Sequence, residues 1–222
     1  MAFGIASIAL LAAAVNAVSA PSAENPGQKP GVDQALRIAV LGDSLAAGYG
    51  LTAEEAFPAQ LERALLNHGI RAEVLNHGVS GDTSSGGRRR VQWMLRDRPR
   101  VVLLELGAND ALRGLNPEQL EENLDAILTA LGSAGVVPVL AGMRAPRNLG
   151  DEYTESFDAV FPRLAKRHKV ALYPFFLEGV AGDPALNQAD GLHPNSAGVQ
   201  RIVQGILPLI EAAVNSIRGT DQ

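Results

Sequence analysis

The sequence predicts a single three-layer α/β/α sandwich, in which helices cover both faces of a five-stranded parallel β-sheet. Short apolar segments alternate along the chain with longer amphipathic ones, which is the pattern of strands joined by helices. Several short segments are apolar throughout, as expected for strands that are buried on both faces. The length of 222 residues allows one domain with a well-buried core and is short for two.

Five apolar segments have the length of strands, and the segment at 101–106 has the strongest strand pattern. Because all five are separated by helical segments, the strands are expected to run parallel. The predicted strands are residues 36–41, 73–75, 101–106, 136–141 and 170–174.

Asparagine and proline mark the starts of three predicted helices. Pro58 suits the first turn of a helix, and Asn116 followed by Pro117 combines a capping side chain with a first-turn proline. Asn195 is expected to cap a C-terminal helix that ends near Arg218. The predicted helices are residues 57–68, 88–97, 116–131, 152–168 and 195–218.

The N-terminal residues differ in composition from the rest of the chain. No charged residue precedes Glu24, residues 5–15 are apolar, and small residues follow at 18–20. This pattern predicts a signal peptide at 1–20, a flexible Pro- and Gly-rich leader at 21–35 and a folded domain at 36–218. An uncleaved anchor is the alternative, although the apolar run is shorter than a membrane span requires. We expect a periplasmic or secreted protein without stable membrane insertion after signal removal.

Composition and charge exclude several classes of function. The formal net charge of −5 argues against a nucleic-acid partner, because such proteins need a broad cationic surface. The absence of cysteine excludes disulfides, thiolate catalysis and cysteine metal sites. No other metal or cofactor motif is complete, so neither a metal nor a cofactor is expected.

Polar clusters follow four of the predicted strands. In parallel sheets, ligands bind beyond the carboxyl ends of the strands, so these clusters are expected to meet at one edge. Each cluster taken alone has an ordinary structural explanation, such as a helix cap, a turn or a hydrogen-bonded loop pair. Together they supply a nucleophile, a base with an orienting acid, and oxyanion donors. The clusters are Gly42-Asp43-Ser44-Leu45, Val79-Ser80-Gly81-Asp82-Thr83, Gly107-Ala108-Asn109-Asp110 and Asp190-Gly191-Leu192-His193.

Three residues in these clusters are predicted to catalyse acyl transfer. Ser44 is the candidate nucleophile, and it needs a neighbouring base to take its proton. The imidazole of His193 suits this task because its unperturbed pKa of about 6.5 lies near neutrality. Asp190, three residues earlier, can bind the other ring nitrogen and fix the tautomer. Asp43 and Asp110 are interpreted as residues that hold their own loops through local hydrogen bonds.

The same four clusters resemble the sequence blocks of the GDSL, or SGNH, hydrolase family. The resemblance extends over nearly all of residues 36–215 and is closest to the exported bacterial thioesterase I/lysophospholipase/arylesterase subgroup. It implies a flavodoxin-like fold and an oxyanion hole made by the backbone N–H groups of Ser44 and Gly81 and the side chain of Asn109. It also implies broad esterase activity on small-molecule substrates, namely acyl thioesters, lysophospholipids and aryl esters.

The substrate side of the site leaves alternatives open. Leu112, Leu115 and Leu149, together with Phe175 and Phe176, either line an apolar acyl channel or belong to the core. A carbohydrate O-deacetylase of the same family is a second enzymatic interpretation. A non-catalytic flavodoxin-like module that binds a small ligand is a third.

Three further features are given structural interpretations. The basic stretch at 88–90 is expected to be a solvated helix face, and attraction to anionic headgroups or a coenzyme A phosphate is the alternative. Trp93, Met94 and Met143 are expected in the core. His77 is expected to be a structural residue, with a smaller chance of lying in the pocket.

Overall fold

Five parallel strands form the centre of the protein, which is represented by a computed structural model that describes Met1 and residues 36–218. The strand order is β2-β1-β3-β4-β5. The predicted signal peptide, Met1 excepted, and the predicted leader lie outside the described residues. The strands are β1 (Leu36–Gly42), β2 (Ala72–Gly78), β3 (Val101–Glu105), β4 (Val137–Ala141) and β5 (Ala171–Tyr173).

The order of the strands places a topological switch point beside β1. The chain adds β2 on one side of β1 and then adds β3 on the other, so the connections after β1 and β3 leave the sheet in opposite directions. Crevices for ligands form where strand order reverses in this way. The predicted five-stranded, flavodoxin-like arrangement is confirmed.

The helices form two layers, one on each face of the sheet. Helices α2 and α8 pack against each other in one layer, whereas α5 packs against both α3 and α7 in the other. This confirms the predicted three-layer architecture. The helices are α1 (Ser44–Ala47), α2 (Phe57–Asn67), α3 (Ser84–Met94), α4 (Ala108–Leu112), α5 (Pro117–Ser133), α6 (Asp151–Asp158), α7 (Val160–His168) and α8 (Ser196–Arg218).

The side chains of the central strands are buried on both faces of the sheet. In β1 the side chains from Ile38 to Leu41 are fully buried, and in β3 those from Val101 to Leu104 are too. Neither strand has a solvent-facing side, which explains the absence of polar alternation. Strand β2 lies at one edge of the sheet and alternates more, because helices cover it less completely.

The structure corrects two predicted helix boundaries. Helix α3 begins at Ser84, four residues earlier than the predicted 88, because Gly86 and Gly87 weaken the sequence signal although both are buried in the helix. The predicted helix at 152–168 is two helices, α6 and α7, which are separated at Ala159. Helices α1 and α4 were not predicted, because four or five residues give no readable period.

The predicted asparagine caps are confirmed. The side chain of Asn116 accepts a hydrogen bond of 2.7 Å from the backbone N–H of Glu118. The side chain of Asn195 accepts one of 3.0 Å from Gly198. Each cap satisfies an N–H group that the first turn of a helix leaves unpaired.

Helix α8 is long and apolar, with 23 residues and an 18-residue window whose mean hydropathy is 1.2. Half of that window is buried inside the domain. Its contacts with α2 and with β3, β4 and β5 make it a core helix. Near its start, Gly198 approaches the preceding loop closely. A Cβ atom there would collide with the carbonyl oxygen of Leu186 and lie 3.1 Å from Pro194 Cβ and Val180 Cγ1. Gly198 therefore lets the loop that carries Asp190 and His193 rest on α8.

Replacing Gly198 with alanine is expected to destabilise the protein although alanine is the better helix former. The backbone of Leu186 cannot move aside as a flexible side chain would, so the free energy of unfolding should fall by about 1–3 kcal/mol. Gly132→Ala is the matched control, because Gly132 also lies in a helix and its added Cβ meets nothing within 4 Å. This control should stabilise the protein by up to about 1 kcal/mol. Urea denaturation measures both, and equal effects would contradict the packing argument.

Candidate active site

The carboxyl end of β1 is built to hold Ser44 at the start of a very short helix. Asp43 caps α1, and its Oδ1 accepts a 3.0 Å hydrogen bond from the backbone N–H of Leu45. Gly42 precedes the turn, and a Cβ there would lie only 2.5 Å from Glu105 Oε2 and 2.6 Å from Ala46 Cβ. The chain therefore turns sharply from the strand into α1 and leaves Ser44 at the sheet edge.

The Asp190–His193 segment forms a compact turn after β5. Asp190 Oδ1 accepts hydrogen bonds from the backbone N–H groups of Leu192 (2.9 Å) and His193 (3.0 Å). Its other oxygen, Oδ2, lies 2.7 Å from His193 Nδ1. The backbone donors of His193 and Leu192 and the imidazole lower the pKa of Asp190 to about 2. The carboxylate is therefore charged beside the ring at neutral pH.

The fold brings the predicted nucleophile and base into direct contact. His193 Nε2 lies 2.9 Å from Ser44 Oγ, although 149 residues separate them along the chain. Together with the Nδ1–Asp190 contact, this makes a continuous line of hydrogen bonds from carboxylate to hydroxyl. Such a line lets the imidazole take the serine proton while the carboxylate stabilises the resulting imidazolium.

The ring of Tyr49 covers one side of His193. The two ring centroids are 4.6 Å apart with an interplanar angle of 37°. Gln188 supports this pair, because its Nε2 donates to the backbone carbonyls of Tyr49 (2.7 Å) and Pro194 (2.9 Å). One side-chain amide therefore joins the segment after Ser44 to the segment that carries the imidazole. Neither contact has a signal in the sequence.

Gly81 lies in a tight turn after β2. Its φ angle is +81°, a backbone conformation that residues other than glycine rarely adopt. Across the turn, Asp82 N donates to Val79 O at 3.0 Å. The Arg113 guanidinium donates to the carbonyl of Gly81 at 2.7 Å. Among the described residues, the backbone N–H groups of Gly81 and Ser44 have no hydrogen-bond acceptor.

Asn109 reaches the site from the short helix α4, directly after β3. Its Nδ2 donates a 3.1 Å hydrogen bond to Asp43 Oδ2, which fixes the amide beside the turn that holds Ser44. An amide nitrogen carries two hydrogens, so this bond leaves Asn109 a second donor. The structure thus brings the three predicted oxyanion donors to the ends of adjacent strands β1, β2 and β3.

Two buried carboxyl groups lie beneath the Ser44 turn. Asp43 and Glu105 are both fully buried, and Glu105 Oε2 accepts a 3.2 Å hydrogen bond from the backbone N–H of Asp43. Burial raises the pKa of Asp43 to about 6. Burial and the neighbouring Asp43 raise the pKa of Glu105 well above its usual range. Glu105 Oε1 has no hydrogen-bond partner among the described residues. Glu105 was not predicted as a site residue, because within a buried strand it reads as one polar interruption.

Asp110 acts over a longer range than the local role predicted for it. Its two oxygens accept hydrogen bonds from the backbone N–H (2.8 Å) and the hydroxyl (2.6 Å) of Ser84, at the start of α3. Asn123 on α5 donates to the same hydroxyl at 3.0 Å. This cluster attaches the helix that follows the Gly81 turn to the helix that carries Asn109.

The three leucines predicted for substrate binding are exposed rather than part of the core. The exposed fractions are 54% for Leu112, 37% for Leu115 and 36% for Leu149. Phe176, in contrast, is fully buried with its ring centroid 5.1 Å from that of Phe57, so it belongs to the core. Phe175 lies beneath the guanidinium of Arg144 at 4.8 Å.

One structural interpretation from the sequence needs correction. Trp93 was expected in the core but is 59% exposed, whereas Met94 and Met143 are buried as expected. The Trp93 ring instead packs edge-on against His77, whose Nε2 lies 3.0 Å from Asp97 Oδ2. His77 therefore has a structural role at the end of α3. Within residues 36–218, no cluster of three or more candidate ligands could hold a metal ion.

The buried acids predict a specific dependence of stability on pH. Because the folded pKa of Glu105 lies above its unfolded value near 4.5, its contribution is full below that pH and is lost as the pH rises through the folded pKa. Glu105→Gln removes this loss. The variant should match the wild type near pH 4 and exceed its free energy of unfolding by at least about 1 kcal/mol at pH 8. Glu54→Gln on the exposed surface is the control, and urea denaturation from pH 4 to 8 gives the measurement. An unchanged pH slope would contradict the assignment.

Comparisons with known proteins identify the family of this chain. The model of the GDSL-like Lipase/Acylhydrolase family matches residues 40–201. Esterase TesA of Pseudomonas aeruginosa is 39% identical over 178 residues, which cover 80% of this chain and 89% of that protein. Thioesterase 1/protease 1/lysophospholipase L1 of Escherichia coli strain K12 is 41% identical over 179 residues, 80% of this chain and 85% of that protein.

A solved structure gives the same result for the fold. The crystal structure of AlinE4, described as an SGNH-hydrolase family esterase, superimposes with a TM-score of 0.70 at 43% sequence identity. The match covers 82% of this chain and 98% of AlinE4. With the family match extending from β1 into α8, the chain belongs to the GDSL-like, or SGNH, family and is a serine hydrolase of ester bonds.

Proposed function

We propose that Ser44, His193 and Asp190 are the catalytic residues, and that the protein cleaves acyl esters and thioesters through an acyl-enzyme on Ser44. The contact between Ser44 Oγ and His193 Nε2 at 2.9 Å is the observation that supports this most strongly. A ligand-binding module would have no need of a serine hydroxyl joined to an imidazole and a charged carboxylate.

In the first half of the reaction, Ser44 attacks the carbonyl carbon of the substrate. The hydroxyl proton passes to His193 Nε2 while the bond from Oγ to carbon forms. Collapse of the tetrahedral intermediate breaks the bond to the leaving alcohol or thiol, which takes the proton from the imidazolium. Asp190 keeps the ring oriented and stabilises its positive charge without itself becoming protonated.

The tetrahedral intermediate carries a negative oxygen that needs hydrogen-bond donors. The unused backbone N–H groups of Ser44 and Gly81 and the second amide hydrogen of Asn109 are suited to this role, because none of them titrates. Asp43 contributes by holding the Asn109 amide in place.

In the second half, a water molecule hydrolyses the acyl-enzyme. His193 takes a proton from the water as it attacks, and it returns that proton to Ser44 Oγ when the carboxylic acid leaves. The enzyme is then ready for another cycle, and no metal or cofactor enters any step.

The exposed apolar residues support acyl chains as the substrate class. Leu112 ends α4, the helix that carries Asn109, and Leu115 follows shortly after it, so both offer exposed apolar surface close along the chain to a proposed oxyanion donor. The relatives named thioesterase 1/lysophospholipase L1 and esterase TesA make acyl thioesters, lysophospholipids and simple esters the candidate substrates. An acetylated carbohydrate would gain little from these leucines.

We further propose export, with residues 1–20 as signal peptide, 21–35 as leader and 36–218 as the hydrolase domain. The apolar run at 5–15 and the small residues at 18–20 support this division. A periplasmic or secreted location would favour esters and lysophospholipids over cytosolic coenzyme A thioesters as natural substrates.

Ser44→Ala is expected to abolish turnover of p-nitrophenyl esters and labelling by a fluorophosphonate probe. The Asn109→Ala protein should still carry Ser44, the residue that the probe labels. Its kcat should fall by about 10²–10³-fold, because one oxyanion donor is lost. Both variants should stay folded, since Ser44 and Asn109 are only partly buried at the sheet edge. Circular dichroism checks the fold. Normal turnover by folded Ser44→Ala protein would refute the mechanism.

Leu112→Asp is expected to lower kcat/KM for p-nitrophenyl octanoate by about tenfold, because it removes apolar contact with the acyl chain. Hydrolysis of p-nitrophenyl acetate should change less than twofold. Leu66→Asp is the matched control, because Leu66 is equally exposed but lies on α2. Equal losses on both esters, or faster hydrolysis of an acetylated sugar than of octanoate, would overturn the proposed substrate class.

A further inference from the structure

One arginine of the basic stretch at 88–90 is not on the solvated face. The side chain of Arg90 is only 17% exposed, whereas Arg88 and Arg89 are exposed on the outside of α3. Its guanidinium makes three hydrogen bonds into the interior. Nε donates to Asp82 Oδ2 at 2.7 Å, Nη2 donates to the carbonyl of Gly42 at 2.7 Å, and Nη1 donates to the carbonyl of His77.

Each acceptor belongs to a segment that carries a proposed oxyanion donor. Gly42 ends β1 two residues before Ser44, and Asp82 follows Gly81 directly. His77 lies near the end of β2, from which the Gly81 turn departs. A single guanidinium therefore binds both segments that must present a backbone N–H to the same substrate oxygen.

The surrounding backbone leaves few other connections between the two segments. In the parallel register, Gly42 pairs with Gly78, so β1 and β2 end at the same level. Val79 N then donates to Gly42 O at 3.1 Å, which is the last backbone bond between them before the chain turns. Asn76 Nδ2 also donates to Ala47 O at 3.3 Å. Within the described residues, it is Arg90 that links Gly42, at the end of β1, to Asp82, next to Gly81.

We infer that Arg90 is a positioning residue that fixes the separation of the Ser44 and Gly81 backbone N–H groups. This inference rests on the proposed catalytic roles of those groups. The fork of a guanidinium can hold three acceptors in a fixed plane, whereas the single ammonium of lysine cannot hold the same set at once. A shift of about 1 Å in one donor is enough to lower a rate by about 10²-fold.

A role in positioning predicts a loss in kcat with little change in KM. Arg90→Met should lower kcat by about 10- to 100-fold, and Arg90→Lys should recover only part of that loss. Arg89→Met is the matched control, because Arg89 lies on the same helix and hydrogen-bonds only to the hydroxyl of Ser85 among the described residues. It should retain kcat within about twofold.

Asp82→Asn provides a milder test in case Arg90→Met does not fold. It removes the carboxylate charge that binds Arg90 Nε and leaves the carbonyls of Gly42 and His77 in place. Its kcat should fall about fivefold or more, with thermal unfolding within a few degrees of the wild type. Full kcat in folded Asp82→Asn and Arg90→Lys proteins would overturn the inference.

Two further readouts separate positioning from a purely structural role. Added guanidinium ion at millimolar concentration should partly restore kcat of Arg90→Ala and should not affect Arg89→Ala. The affinity for a trifluoromethyl ketone, which forms a tetrahedral adduct on the serine, should fall in proportion to kcat. A loss confined to KM, or a loss explained fully by the unfolded fraction, would contradict the inference.

The Ser44→Ala protein tells the two proposals apart. If it retains turnover, the proposed mechanism fails whatever Arg90 does. If it is inactive while folded Arg90→Met and Asp82→Asn proteins keep the wild-type kcat, the mechanism stands and only the role of Arg90 is lost.

Discussion

The site depends on the close approach of backbone segments at the carboxyl ends of β1, β2 and β3. Gly42 and Gly78 have no room for a Cβ atom, since Glu105 and Ala46 crowd the first and the backbone of Ala47 crowds the second. This constraint sets α1 directly against the end of β2, so that Ser44 and the Gly81 turn become neighbours. The His193 segment completes the site, where it packs against α8 and next to Tyr49.

The acidic groups of the site differ in protonation behaviour between the surface and the interior. Asp190, at the surface, is held as a carboxylate by three hydrogen bonds, whereas burial favours the neutral forms of Asp43 and Glu105 beneath the nucleophile. With a pKa of about 6, Asp43 is still mostly ionised at neutral pH, whereas burial disfavours the charge on Glu105 more strongly. A developing oxyanion is therefore not placed over two fully charged acids, while the imidazolium keeps its partner.

The fold class and the residues that meet at the sheet edge could be predicted from the sequence. Both depend on a local pattern, namely the spacing of apolar residues and the polar residues that follow each strand. Prediction failed where a tertiary contact decides the outcome. Arg90 looks like its neighbours Arg88 and Arg89, and only the strand ends on the inner side of α3 distinguish it. Glu105 is similar: its burial follows from the position of β3 at the centre of the sheet, which composition does not reveal. The first turn of α3 was missed for a local reason, because Gly86 and Gly87 have low helix propensity.

Gln188 anchors the end of the long connection between β5 and α8. Its amide donates hydrogen bonds to the carbonyls of Tyr49 and Pro194. The amide also packs so closely on Gly50 that a Cβ atom there would clash with it. The imidazole is therefore anchored from the α1 side as well as from α8. The stretch between β5 and Asn187 is anchored as well, because Phe176 and Val180 are fully buried. Its tip, residues 181–184, is exposed throughout. Insertions or deletions at that tip should therefore disturb the proton-transfer geometry least.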